Sequence, residues 1–245
     1  MTSGRDGATG DEGVQATGGG SDGGVWLAAA AFGAVLSLFA FVKIWDEVHE
    51  GDTQSIDEWV VRSLRRADDP AVPVGPVWVR EAALDATALG GYFVIGLAVV
   101  AVVGFMWIHG DRATAWATLA TVVGGAAATF ALKHLSGRDR PDAVPHLRDV
   151  ASPSFPSGHA ALSAVVFLTL GLLLAGTMTR PAARLYCLSW AMLVSFFVGL
   201  SRIYLGVHYP SDVLGGWTFG LAWALAGWAV FRWFRPRRRL AQAGG

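Results

Sequence analysis

A single cysteine, Cys187, occurs among 245 residues. An intrachain disulfide is excluded, and a lone cysteine inside an uncharged run reads as a small core residue. Charge is also scarce. Asp, Glu, Lys and Arg make up 16% of the chain, against roughly 25% in an ordinary soluble domain. The 19 basic and 19 acidic residues cancel, which removes the electrostatic footprint expected of a nucleic-acid binder. There is no internal repeat, and no carboxylate cluster of the kind Mg²⁺ prefers.

What the chain has instead is apolar sequence in long blocks. Six runs are free of Asp, Glu, Lys and Arg: 23–42, 86–110, 113–132, 160–179, 185–201 and 213–231. Each is close to the roughly 20 residues a helix needs to cross the bilayer core. In lipid, every backbone polar group must be satisfied within the segment, so helices are the natural reading. A soluble helical core would need amphipathic stripes, and these runs are apolar all round. The expected fold is all-α, a polytopic membrane protein with six transmembrane helices over residues 25–234. Residues 1–24 are rich in Gly, Ser, Thr and Asp, a composition that cannot bury a core and reads as a disordered leader. The leader is acidic and the first apolar run is long, so an uncleaved span is expected rather than a signal peptide.

Between the first two runs, "SIDEWVVRSLRR" places Ile56, Trp59, Val60 and Leu64 on one helical face, with Asp57, Glu58, Arg62, Arg65 and Arg66 elsewhere. That spacing fits a short helix in the membrane interface. Pro70, Pro73 and Pro76 then make an irregular link, and residues 77–85 lead helically into the second span. In the sixth run, Gly216 and Gly220 stand at the spacing that permits close helix packing. Trp107, Trp116, Trp228 and Trp233 lie near run ends, where an aromatic belt is expected.

Six spans put both termini on one side. Arg232, Arg235, Arg237, Arg238 and Arg239 cluster around the end of the last span, and the positive-inside rule makes that side cytoplasmic, with 235–245 a basic cytoplasmic tail. Alternation then fixes the rest. Lys133 ends span 3, His159 precedes span 4, Arg202 ends span 5 and Asp212 precedes span 6. All four face the extracytoplasmic side, as does Asp85. The Gly/Ala-rich composition and Arg-rich tail point to a bacterial inner membrane.

The gathered residues come from three stretches, "KHLSGRDRP", "PSGH" and "SRIYLGVHYPSD". They supply Lys133, Arg138, Arg140 and Arg202 as cations, His159 and His208, and the carboxylate of Asp212. Fixed cations at helix ends suit an anion, and the planar guanidinium fork suits phosphate. The backbone amides of Ser157, Gly158 and His159 open a helix, and helix N-termini bind phosphate. Two histidines allow one nucleophile and one acid. One helical turn separates His208 from Asp212, so the carboxylate can fix the imidazole tautomer and make the other nitrogen more nucleophilic. His49, His109, His134 and His146 need no role beyond local hydrogen bonding.

The order Lys133-x6-Arg140-Pro141, Pro156-Ser157-Gly158-His159, then Ser201-Arg202-x5-His208-x3-Asp212 resembles the three-part signature of the type 2 phosphatidic acid phosphatase superfamily. The resemblance runs from about residue 25 to 232 and leaves out the leader and the tail. It implies that His208 attacks phosphorus and forms a phosphohistidine, that Asp212 orients His208, and that His159 protonates the leaving oxygen and then activates water. It also implies that Lys133, Arg140 and Arg202 hold the phosphoryl oxygens with Ser157 and Gly158. Arg138 has no assigned role; contact with a second phosphate and exposure to water are both open. No metal or other cofactor is implied, and the expected partner is a lipid phosphate in the membrane: a polyprenyl diphosphate, phosphatidic acid or phosphatidylglycerol phosphate. With one imidazole neutral and one protonated, the pH profile should be bell-shaped. Three alternatives stay open. The signature also resembles vanadium-dependent haloperoxidases, which are soluble; an alcohol could replace water as phosphoryl acceptor; and the charges could serve a lipid or anion transporter.

Overall fold

The computed structural model describes residues 21–147 and 152–234. The leader up to residue 20 and the basic tail 235–245 lie outside the described residues. Eight helices follow in order: α1 (Ser21–Glu50), α2 (Gln54–Ser63), α3 (Val77–Leu89), α4 (Tyr92–Ile108), α5 (Arg112–Ser136), α6 (Gly158–Thr177), α7 (Pro181–Tyr204) and α8 (Pro210–Phe234). Among the described residues the only β pairing is an isolated bridge between Arg65 and Pro73, within the proline-rich link. The first helix begins at Ser21, so the last residues assigned to the leader belong to α1.

Five helices (α1, α5, α6, α7 and α8) are long and apolar enough to cross a membrane by themselves. The second span differs from expectation. The run 86–110 is uncharged throughout, yet the chain breaks at Gly90–Gly91 and α3 and α4 meet at a 46° bend. Gly90 lies in the angle, where a Cβ would collide with Val198 and sit 3.3 Å from the His159 ring. The break therefore lets the second span pass close to a residue of the site.

The interior is built around α6, the most buried span, which packs against α5, α7 and α8. Helix α1 lies along α8, α3 along α7 and α4 along α5. The glycine spacing in α8 sets the α6–α8 approach. A Cβ on Gly216 would stand 2.8 Å from the Ser157 carbonyl oxygen, and one on Gly220 would stand 2.5 Å from the Ala164 Cβ. Gly220→Ala is therefore expected to destabilise the bundle by about 1–3 kcal/mol through overpacking, seen as a lower thermal midpoint in detergent. Gly96→Ala, whose Cβ would meet nothing within 4 Å, should not lower it.

Large apolar side chains cover the outside, among them Phe32 and Phe39 of α1, Phe93 and Leu97 of α4 and Phe130 of α5. A water-soluble protein rarely exposes so much contiguous apolar surface, and lipid is the solvent it suits. At one end of the bundle, Trp107 and Trp116 meet edge to face, with Arg112 over the Trp107 ring.

Residues Gln54–Ser63 form helix α2, and Val60 and Leu64 pack against the core. Ile56 and Trp59 remain 65% and 69% exposed, whereas Asp57 and Arg65, which the pattern places off the apolar face, are buried together with Val61. Arg65 donates to the Tyr204 carbonyl oxygen at 3.0 Å. Its guanidinium runs beside Gly206, whose φ of 73° and lack of a Cβ leave the room. Asp57 is tolerated inside because Arg138 pairs with it, whereas Arg65 has carbonyl partners on Nη1 only and its Nε and Nη2 are buried without one.

Candidate active site

Three chain segments meet at one end of the bundle. The first leaves α5, which Gly137 terminates in the left-handed conformation with its N–H on the Lys133 carbonyl oxygen. Lys133 is thus in the final turn, and the chain turns at once to carry Arg138 and Arg140. The second is the stretch before α6, anchored by Phe155. Its ring is fully buried, stacks on Phe41 at 6.0 Å, meets Trp45 edge-on and fills the space left by Gly215. The third is the 205–209 turn between α7 and α8. Backbone bonds tie the three together: Ser154 N–H to the Arg138 carbonyl oxygen at 2.7 Å, Ser157 N–H to that of Asp212 at 2.9 Å, and Leu147 N–H to that of Leu205 at 3.1 Å.

His208 lies at the centre and is almost fully buried. Its Nε2 faces an N–H of Arg140 at 3.2 Å, so Nε2 is the acceptor and Nδ1 carries the proton. Nδ1 is 3.2 Å from Ser154 Oγ and 3.4 Å from Asp212 Oδ2. Ser154 Oγ donates in turn to the same Asp212 oxygen, which also accepts the Tyr209 N–H at 2.8 Å. The expected His208–Asp212 contact is therefore long, and Ser154 bridges it. Burial first, then the charges of Lys133, Arg140 and Arg202 and the neighbouring His159, hold His208 well below the usual histidine range. Burial and the positive neighbours favour the neutral imidazole, whose Nε2 lone pair points toward the cations and accepts the Arg140 N–H.

The cations are tethered mainly through carbonyl and hydroxyl oxygens. Lys133 Nζ donates to the carbonyl oxygens of Pro153 and Ser154 at 2.7 and 3.3 Å. Arg140 donates to those of Ser152 and Val207 at 2.7 and 2.6 Å. Arg202, in α7, donates to Thr87 Oγ at 2.8 Å. These bonds to neutral oxygens fix the position of each cation, and fixed positive charge suits an anion. Burial lowers the Arg140 affinity for its proton, with Asp212 acting the other way.

Ser157 occupies the N-cap position of α6, but its side chain does not cap. Its Oγ is buried and lacks a hydrogen-bond partner. Gly158 follows, where a Cβ would stand 3.2 Å from Lys133 Cε. An orphan hydroxyl, a glycine amide and an ammonium thus border one spot, a donor set suited to phosphate oxygens. His159 is half-buried, next to Gly90 and edge-on to Tyr92 at 6.4 Å between ring centres.

Arg138 does not face water. It is 11% exposed and forms ion pairs with Asp212 Oδ1 at 2.7 Å and Asp57 Oδ2 at 2.8 Å. Burial works against its charge, but the two carboxylates outweigh it and raise its affinity for the proton. Sequence reasoning passed over Asp57, Ser154 and Thr87. Ser154 lies three residues before Ser157, whereas nothing in the local pattern marks Asp57 or Thr87. The four histidines set aside are satisfied locally or stacked, as His146 is on the Pro141 carbonyl oxygen at 2.6 Å.

Comparison with known proteins agrees with the geometry. Residues 113–236 match the PAP2 superfamily. Phosphatidylglycerophosphatase B of Bacillus subtilis (strain 168) is 32% identical over 193 residues, spanning 76% of this chain and 89% of that protein. A lipid A 1-phosphatase of Rhizobium johnstonii is 33% identical over 112 residues, 41% of each chain. The crystal structure of a transmembrane PAP2-type phosphatidylglycerolphosphate phosphatase from Bacillus subtilis shares the fold, with a TM-score of 0.75 at 24% identity over 84% of this chain and all of that one. The chain belongs to the PAP2 superfamily and is an all-α integral membrane protein. Its enzymatic class is that of the phosphoric ester and diphosphate hydrolases.

Proposed function

We propose that the protein is a metal-independent lipid phosphatase that works through a phosphohistidine on His208. The observation that carries this reading is the orientation of one buried ring: Nδ1 is held by Ser154 and Asp212, and the unprotonated Nε2 is turned to the side of Lys133, Arg140 and Arg202, where it accepts an Arg140 N–H that an incoming phosphoryl oxygen can take over. The Nε2 lone pair attacks phosphorus. The P–O bond to the lipid breaks, and the leaving oxygen takes a proton from His159. Water then attacks the phosphohistidine, gives its proton to His159, and the P–N bond returns its electrons to His208. Phosphoryl transfer asks mainly for positioning and charge stabilisation. The three cations, Ser157 Oγ and the Gly158 amide supply that for the phosphoryl oxygens.

The substrate class follows from where the site lies. A phosphate pocket at one end of an apolar bundle suits an amphiphile whose phosphate sits at the interface and whose chains stay in lipid. A phosphatidylglycerol phosphate, a phosphatidic acid or a polyprenyl diphosphate satisfies this, and the named substrates of the similar phosphatases fall in the same class. The alternation of spans and the arginine-rich tail support a site on the extracytoplasmic face of a bacterial inner membrane, with cytoplasmic termini. Detergent-purified protein given these three lipids in excess chelator should release inorganic phosphate at the rate seen without chelator. Loss of release on chelation, restored by a divalent cation, would overturn the metal-independent reading.

A further inference from the structure

Asp57 belongs to none of the three motifs and lies 155 positions before Asp212 in the chain, yet the fold joins them through one guanidinium. Arg138 Nη1 donates to Asp212 Oδ1 and Ser211 Oγ, both at 2.7 Å. Its Nη2 donates to Asp57 Oδ2 at 2.8 Å and Gln54 Oε1 at 3.4 Å. Asp57 accepts the Ser211 N–H on Oδ1 at 3.0 Å and the Ser211 hydroxyl on Oδ2. Arg138 also stacks over the Tyr209 ring at 4.6 Å. The two carboxylates are 2% and 0% exposed. Removing one partner from a buried ion network leaves an uncompensated charge, a costly outcome that makes its geometry well defined.

Building on the phosphohistidine reading, we propose that Arg138 and Asp57 are positioning residues for the nucleophile, and that helix α2 belongs to the catalytic apparatus rather than to a connector. Arg138 takes Oδ1 of Asp212, which leaves Oδ2 for His208 and Ser154. It also makes the carboxylate a weaker base, so the proton stays on His208 Nδ1 and the lone pair on Nε2. Asp57 fixes the other half of the guanidinium. By accepting both Ser211 donors in the first turn of α8, it also sets the depth of the turn that presents His208. Lysine at position 138 could keep the charge but not bridge two carboxylates with a planar fork.

The charged and titratable groups around His208 are Lys133 from α5, Arg138 and Arg140 from the following loop, His159 from α6, Arg202 from α7, Asp212 from α8 and, through Arg138, Asp57 from α2. Removing the Arg138 charge makes this surrounding less positive, and removing the Asp57 charge makes it more positive. The acid limb of kcat/KM, which reports protonation of His208, should move to higher pH in Arg138→Gln and to lower pH in Asp57→Asn.

The test is steady-state phosphate release from phosphatidic acid in mixed micelles by purified full-length protein. Both variants should lose kcat by about 10²-fold, the scale of a misplaced reacting group. KM should stay within about threefold, and the acid limbs should move in opposite directions. Arg138→Lys should recover only part of the rate, and Arg62→Gln, on the outer face of the same helix, should retain it. Should Arg138→Gln fail to fold, Asp57→Asn carries the acid-limb test and Arg138→Lys the kcat test. Folded variants with unchanged kcat, or a lower kcat with both acid limbs unmoved, would overturn the proposal. His208→Ala separates the two levels: full activity there removes the phosphohistidine reading itself, whereas an inactive His208→Ala beside fully active Arg138 and Asp57 variants removes only the positioning role.

Discussion

His208→Ala is expected to lower phosphate release at least about 10³-fold in protein that still folds, because the group that forms the covalent bond is gone. The cations and the α6 N-terminus would remain, so substrate should still bind. The signature is a lost kcat with a KM close to that of the parent. The parent enzyme carries a companion sign in its pH dependence. His208 must be neutral to attack, and burial with nearby positive charge holds it well below the usual histidine range. The acid limb of kcat/KM should therefore fall well below the ordinary value of about 6.5. A limb at or above that value would mean that another group controls the acid side.

His159→Ala should slow turnover by about 10²- to 10⁴-fold, the usual contribution of a positioned general acid. The loss should depend on the leaving group. A lipid alkoxide needs a proton as the P–O bond breaks, whereas a nitrophenolate leaves with little help. In rapid-quench measurements of the first half-reaction, the variant should therefore be close to the parent with a nitrophenyl phosphate and severely impaired with phosphatidic acid. Equal losses on both would assign His159 to binding rather than proton transfer. The Gly90 break brings the second span against its imidazole.

The parts of the fold that were legible in the sequence are those that depend on one segment at a time. A bilayer demands an uninterrupted apolar stretch, so all six runs stand out as charge gaps. The Gly216–Gly220 spacing showed because close packing requires missing Cβ atoms. Lys133, Arg140, His159, Arg202, His208 and Asp212 could be grouped because alternation of spans sends their ends to one side. The hidden parts depend on partners distant in the chain. In the sequence Asp57 is one charge off the apolar face of an amphipathic helix, and its contacts with Arg138 and Ser211 explain its burial. Arg138 was ambiguous for the same reason. Thr87 is one threonine in an apolar run until Arg202 is seen to reach it. The α3–α4 bend was masked because Gly90 and Gly91 are uncharged and do not interrupt a hydropathy pattern, although a glycine pair is a physical signal for a break.

The most direct test of the covalent reading is to trap the intermediate. Detergent-purified enzyme would be mixed with phosphatidic acid carrying ³²P in its phosphate, quenched in alkali within the first turnover, and digested. Label that is stable in alkali, released by mild acid and confined to the peptide containing His208 is the expected result, with none in His208→Ala. Complete single-turnover release with no labelled protein at any quench time, or label on a peptide lacking His208, would contradict it.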